Sequence, residues 1–283
     1  MKRELGDTEV FAIGLGAMPM SIGQRPDEAR SIRTIHAALD AGVTLIDTAD
    51  AYCPGPDEIG HNERLVAKAL ATWSGDASNV IVATKGGHTR AADGSWPVDG
   101  RPEHLRQACD ASLKALGVEA IGLYQFHRPD PAVPFAESIG TLRDLLDEGK
   151  IRMAGISNAS LDQIEEATRI VPLASVQNQF SPAFRSSAEE LAYCDRRGIA
   201  FLPWSPLGGM SHAGRLGHDH GAFAEIARQR GVSPQQVALA WEMAKSPVVI
   251  PIPGASRPET ILDSVEAVRL TLNESELALL DAN

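Results

Sequence analysis

The strongest constraint on this chain is a beat: short apolar runs alternate with amphipathic helical stretches from residue 14 to residue 250. The runs cover residues 14–16, 43–46, 80–83, 121–126, 151–156, 173–176, 199–202 and 248–250. They are continuous rather than alternating, which is the pattern of strands buried on both faces of a parallel sheet. Helical stretches at 28–40, 62–71, 102–116, 135–147, 161–170, 188–197, 222–230 and 234–244 separate them. Several carry their own stop signals, such as Pro102 at the start and Gly117 just past the end of the third. Eight such units, with no Pro-, Gly- or Ser-rich linker, predict an α/β chain folded as one (β/α)8 TIM barrel domain over residues 1–283. A doubly wound open sheet is the alternative. A short N-terminal β-hairpin is expected at 3–5 and 10–13 around Gly6-Asp7, and extra C-terminal helices at 258–268 and 274–281.

Composition narrows the partners. Net charge is −11 and the Lys and Arg residues are scattered, so no basic stripe marks a nucleic-acid surface. A small anion remains compatible, because a few Arg or backbone N–H groups suffice to hold one. Cys53, Cys109 and Cys194 are odd in number and far apart, which argues against a disulfide framework or a zinc site and for a reducing compartment. No leader-like h-region and no run of about 18 apolar residues is found, so a cytoplasmic chain without a membrane span is expected. Oligomeric state is not readable.

In a barrel the C-terminal strand ends converge on one mouth, so the first polar residues after the strands become neighbours. They are Asp47, Lys85, His127, Ser157-Asn158, Gln177-Asn178 and Trp204-Ser205. Asp47, leaving a buried strand, needs a cation. Tyr52, five residues on, becomes a proton donor if that cation lowers its pKa from the ordinary value of about 10. Each residue alone has a bland use: a solvated Lys, a structural His, an amide tying down a loop. Recurrence at one structural position favours a site. Gly14-Leu15-Gly16 resembles a dinucleotide fingerprint, but no third glycine opens a helix and Pro19 interrupts. His212, His218 and His220 share a Gly-rich loop and read as solvated or lid residues; no metal site is expected.

A set of motifs in order makes the chain resemble an aldo-keto reductase almost end to end. They are Leu45-Ile46-Asp47-Thr48-Ala49-Asp50-Ala51-Tyr52 with Asn62-Glu63, Ala83-Thr84-Lys85, Ser112-Leu113-Lys114-Ala115-Leu116-Gly117, and Tyr124-Gln125-Phe126-His127-Arg128. Gly155-Ile156-Ser157-Asn158, Val176-Gln177-Asn178, Trp204-Ser205-Pro206-Leu207-Gly208 and Pro251-Ile252-Pro253-Gly254 complete the set.

The resemblance implies reversible, NADP(H)-dependent reduction of aldehydes and ketones, with NAD(H) also possible. The catalytic tetrad falls on Asp47, Tyr52, Lys85 and His127. Tyr52 gives the proton, Lys85 paired to Asp47 draws the phenol's pKa toward neutrality, and neutral His127 orients the carbonyl. Ser157, Asn158 and Gln177 are implied to bind the nicotinamide carboxamide, and Trp204 to stack on its ring. The loop of Ser205, Pro206, Leu207 and Gly209 is implied at the pyrophosphate, through the backbone N–H groups of its residues other than the proline. Gly16 and Gly254 join the cofactor-binding set. At the adenosine end, Ser256 and Arg257 suit a 2′-phosphate, while Thr260 stands where a second Arg is common. Met18 and Trp96 are the substrate-pocket candidates, with ordinary packing an equal use for Met18. The chain stops soon after its last helix, so an open site with broad aldehyde turnover is expected. The alternative within the family is a nicotinamide-binding regulatory subunit with little turnover.

Overall fold

The computed structural model describes residues 1–282. It opens with an antiparallel hairpin, β1 (Lys2–Leu5) and β2 (Thr8–Phe11), turning through Gly6 at φ 59°, a left-handed angle that suits glycine. Then follow β3 (Leu15–Gly16), α1 (Glu28–Asp40), β4 (Leu45–Asp47), α2 (His61–Thr72), β5 (Ile81–Gly86), α3 (Pro102–Leu116) and β6 (Ile121–Phe126). The alternation continues through α4 (Phe135–Asp147), β7 (Ile151–Ser157), α5 (Leu161–Ile170), β8 (Leu173–Gln177), α6 (Ala188–Arg197) and β9 (Ala200–Phe201). Helices α7 (Leu216–Asp219), α8 (Gly221–Arg230), α9 (Pro234–Lys245), α10 (Pro258–Glu266) and α11 (Glu274–Asp281) complete the chain.

Local chemistry sets these bounds. Asp27 caps α1 by accepting from Arg30 N–H, and Ser160 with Gln163 forms a reciprocal capping box on α5. In α3, Leu105, Ala108, Cys109, Ser112 and Leu116 are buried, the spacing of one helical face turned to the sheet.

Among the described residues β3 to β9 form one seven-stranded parallel sheet in sequential order. The expected strand at 248–250 differs: it makes single bridges, Val249 to Phe201 and Gly254 to Gly16, but no ladder. Pro251 and Pro253 are the reason, since neither has an N–H to donate. Their carbonyls accept from Gly14 N–H (2.9 Å) and Gly16 N–H (3.0 Å), while Ile250 N–H donates to Phe201 O (2.9 Å). The 248–255 segment is therefore bonded to both edges of the sheet, β3 and β9.

Inside the curl of the sheet lies a cluster of Leu45, Ala83, Leu123, Met153, Ala174, Ala200 and Leu202, joined by Leu5 and Val10 of the hairpin. The hairpin thus packs against the apolar first halves of the strands. Larger clusters fill the space between sheet and helices, where each fully buried Leu or Ile contributes about 1.5–3 kcal/mol. All three cysteines are buried free thiols. Among the described residues no helix is long and apolar enough to cross a membrane.

Candidate active site

Side chains alternate along a strand, so Leu45 and Asp47 share the inner face, as do Ala83 and Lys85, and Leu123 and Gln125. One step along each strand the apolar floor gives way to a polar layer. Sequence reasoning expected Lys85 beyond its strand, whereas it lies inside β5, wholly buried. Its ammonium has three protons, and three oxygens receive them. Lys85 Nζ donates to Asp47 Oδ2 (2.8 Å), Thr48 O (2.8 Å) and the Tyr52 hydroxyl (3.1 Å). Asp47 is held from its other side, where Gln177 Nε2 donates to Oδ1 (2.8 Å). The phenol oxygen accepts from Lys85, which leaves its own proton to be directed elsewhere.

Electrostatics follow from this geometry. Burial pulls the Lys85 ammonium down, but Asp47 and Tyr52 outweigh it and hold the pKa above the ordinary lysine value. Tyr52 corrects the sequence expectation. Burial raises the phenol above its ordinary value despite the pull of Lys85, because the cation's attraction is shared with Asp47 and the ring is desolvated. Tyr52 is therefore a firmly protonated phenol, not one drawn toward neutrality. His127 is held well below the ordinary histidine value by burial, then by Lys85, His88 and Arg128. It is a neutral imidazole, and its buried Nδ1 has no hydrogen-bond partner among the described residues. Its ring lies edge-on to Tyr52, with centroids 5.7 Å apart.

A cleft of about 870 Å³ opens over this cluster. Asp47, Tyr52, Asn158 and Gln177 form its floor, and Met18, Trp204, Ser205, Pro206, Leu207, Gly209 and Gly254 its walls, with Gly16 at one end. Asn158 and Ser205 are the non-glycine residues with positive φ among the described residues, at 57° and 51°. A left-handed serine before a proline is costly, and such strain collects at functional sites. The Asn158 turn lets Nδ2 donate to His127 O (3.0 Å) and Oδ1 accept from Trp204 Nε1 (3.1 Å). Gly16 and Gly254 are a tight cradle: a Cβ on Gly16 would stand 2.8 Å from Ile252 O, and one on Gly254 2.9 Å from Pro19 Cγ.

Other expected residues stand off the cleft wall. Ser157 lies behind Asn158 and donates to Gln177 O (2.7 Å). Trp96 packs edge-on against Tyr52 (6.2 Å) under the Arg90 guanidinium. Ser256, Arg257 and Thr260 sit at the start of α10, where Arg257 Nε donates to Thr260 Oγ1 (3.0 Å) and the Arg257 side chain is exposed. Two neighbours have no assigned role in the sequence reading, Arg128 of the His127-Arg128 motif and His88 of the loop at 86–101. Arg128 lines the cleft, and the His88 ring stands 4.5 Å from that of His127. Each follows close behind a strand-end polar residue, His88 after Lys85 and Arg128 after His127.

The sequence matches the model of the Aldo/keto reductase family over residues 12–283. It is 36% identical over 282 residues to an uncharacterized oxidoreductase of Schizosaccharomyces pombe, covering 98% of this chain and 88% of that protein. The fold is similar to a glycerol dehydrogenase from Gluconobacter oxydans, with TM-score 0.85 and 28% identity over 99% of this chain and 94% of that one. It is also similar to an aldo/keto reductase from Klebsiella pneumoniae in complex with NADP and acetate, with TM-score 0.83 and 27% identity over the same shares, 99% and 94%.

Proposed function

The chain belongs to the aldo/keto reductase family, and we propose that it reduces aldehydes and ketones to alcohols with NADPH, reversibly, at the Tyr52–Lys85–Asp47 cluster. It is an oxidoreductase whose cofactor is NADP(H). The observation that carries the catalytic reading is the set of three contacts at Lys85 Nζ, which presents a protonated phenol to the cleft. Supporting the architecture, the 248–255 segment serves as the eighth stave of a single-domain (β/α)8 barrel, since it bonds to both sheet edges.

Two features support a cofactor in the cleft: Gly16 and Gly254, pressed against Ile252 O and Pro19, bring backbone to its lining, and strained Ser205 sets the Ser205–Gly209 loop along it. In this reading Asn158 and Gln177 hold the carboxamide, Ser157 braces Asn158, and Trp204 stacks on the ring. The loop N–H groups, with Gly16 and Gly254, hold the pyrophosphate, and Ser256, Arg257 and Thr260 hold the 2′-phosphate. When bound, the reduced nicotinamide supplies the hydride. Tyr52 gives its proton to the alkoxide oxygen as charge builds there, and Lys85 stabilises the phenolate left behind. Asp47, fixed by Gln177, keeps Lys85 charged. Neutral His127 donates to the carbonyl oxygen from Nε2 and so orients it. Met18 and Trp96 shape the substrate side.

The test is NADPH oxidation with 4-nitrobenzaldehyde. Tyr52→Phe is expected to lower kcat by about 10²–10⁴-fold, the range for general acid catalysis, while quenching of Trp204 fluorescence by NADPH persists. Undiminished turnover in Tyr52→Phe would remove the assignment.

A further inference from the structure

Arg128 has no role in the scheme above, yet it lines the same cleft as Tyr52 and follows His127 directly. Its side chain is exposed and makes no ion pair among the described residues. The acids nearest to it in the cleft and in sequence are already engaged. Asp47 is taken by Lys85 and Gln177, and the Asp130 carboxylate accepts from Gly100 N–H (2.9 Å) and Ala132 N–H (2.9 Å). A single side-chain bond is made, from Arg128 Nε to His88 Nε2 (3.3 Å). His88 is anchored in turn through Nδ1 on Pro97 O (3.2 Å). Bonding through Nε restrains the guanidinium and leaves both terminal nitrogens without a partner among the described residues. Two parallel N–H groups in a fixed plane match a carboxylate or a phosphate edge.

Charge makes the same point. The chain carries −11 overall, which repels anions from its surface. Around the cleft the walls are mainly apolar, with Met18, Leu207, Met210 and Ile252 among them. Lys85 is spent within the cluster, so among the described residues lining the cleft Arg128 is the cation left to a ligand. A neutral aldehyde gives it nothing to bind. From this we propose that Arg128 is a specificity-determining residue: the substrates are carbonyl compounds bearing a carboxylate or phosphate, whose anion bridges the Arg128 terminal nitrogens while the carbonyl reaches Tyr52. This rests on the reductase reading and names its substrate class.

The experiment compares selectivity ratios in the holoenzyme with NADPH. For carboxylates the ratio is kcat/KM on 4-carboxybenzaldehyde over that on 4-nitrobenzaldehyde; for phosphates it is glyceraldehyde 3-phosphate over glyceraldehyde. In Arg128→Met the ratio for the preferred anion is expected to fall about 10–100-fold, the scale of a charge-assisted bidentate contact. Arg128→Lys, which keeps the charge but loses the fork, is expected to recover part of it. Whichever ratio falls identifies the anion. Both ratios unchanged, or a rise in KM for NADPH that is equal for every substrate, would overturn the proposal. Wild-type protein inert toward 4-nitrobenzaldehyde would instead count against the reductase reading. Calorimetric binding of 4-carboxybenzyl alcohol and of glycerol 3-phosphate to the NADP⁺ complex then decides alone: weaker binding of either in Arg128→Met supports the role, equal binding of both overturns it.

Discussion

Lys85 and Glu242 are both wholly buried, one on the inner face of β5 and the other in α9, and their surroundings treat them in opposite ways. Every proton of the Lys85 ammonium meets an oxygen, so the charge survives against the pull of burial. Neither oxygen of Glu242 has a hydrogen-bond partner among the described residues, and burial alone pushes its carboxyl well above the usual carboxylate range. Depth does not decide whether a group is charged; partners do. One residue is the hub of a site. The other is a stability cost that the helical layer absorbs.

The sharpest way to break this contrast is to remove the hub. Lys85→Met leaves Asp47 buried with only Gln177 as partner, which is expected to cost about 3–5 kcal/mol of stability by denaturant unfolding, and to abolish carbonyl reduction. An effect below about 1 kcal/mol would mean that Lys85 is no more than a solvated charge.

Replacing Glu242 is expected to act in the other direction and more weakly. Its folded pKa lies above the unfolded value, so between the two the folded state holds a proton that the unfolded state has lost. Stability therefore falls as pH rises from the ordinary carboxylate range toward the folded pKa, by at most about 1.4 kcal/mol per pH unit from this group. Glu242→Met should remove that slope, raising Tm at pH ~8 by more than at pH ~4 in calorimetry. An equal change at both pH values would show that the carboxyl does not titrate on unfolding.

The same contrast explains what the sequence made legible. Helices α1, α3, α4, α5, α6 and α11 could be bounded from caps and periodicity, because those signals are local. The 248–250 stretch read as an ordinary strand because its apolar residues conceal what the two prolines after it do to the ladder. Asp47, Lys85 and His127 stand out in the sequence because polar groups at strand ends are conspicuous against apolar runs, and Tyr52 because it follows Asp47 by five residues. The roles of Arg128 and His88 were not legible, since nothing in the sequence says that the loop at 86–101 folds His88 back onto His127 and Arg128. Tyr52 does meet Lys85, but its pKa lies in the direction opposite to that expected: the pairing charge is visible in a sequence, while the desolvation opposing it is a property of the packed fold. Glu242 draws no attention in the sequence: it is a single acid among Ala240, Trp241 and Met243, and only the packed fold shows that this turn is buried all round.

The central claim is that Lys85 presents Tyr52 as a protonated phenol, and the titration of that hydroxyl tests it most directly. With ¹³Cζ-labelled tyrosine, and Tyr52→Phe to assign the resonance among the chain's three tyrosines, the Tyr52 signal is expected to stay at its phenol position beyond pH ~10, the ordinary value. A Tyr52 resonance that moves to the phenolate position near neutral pH would contradict the account.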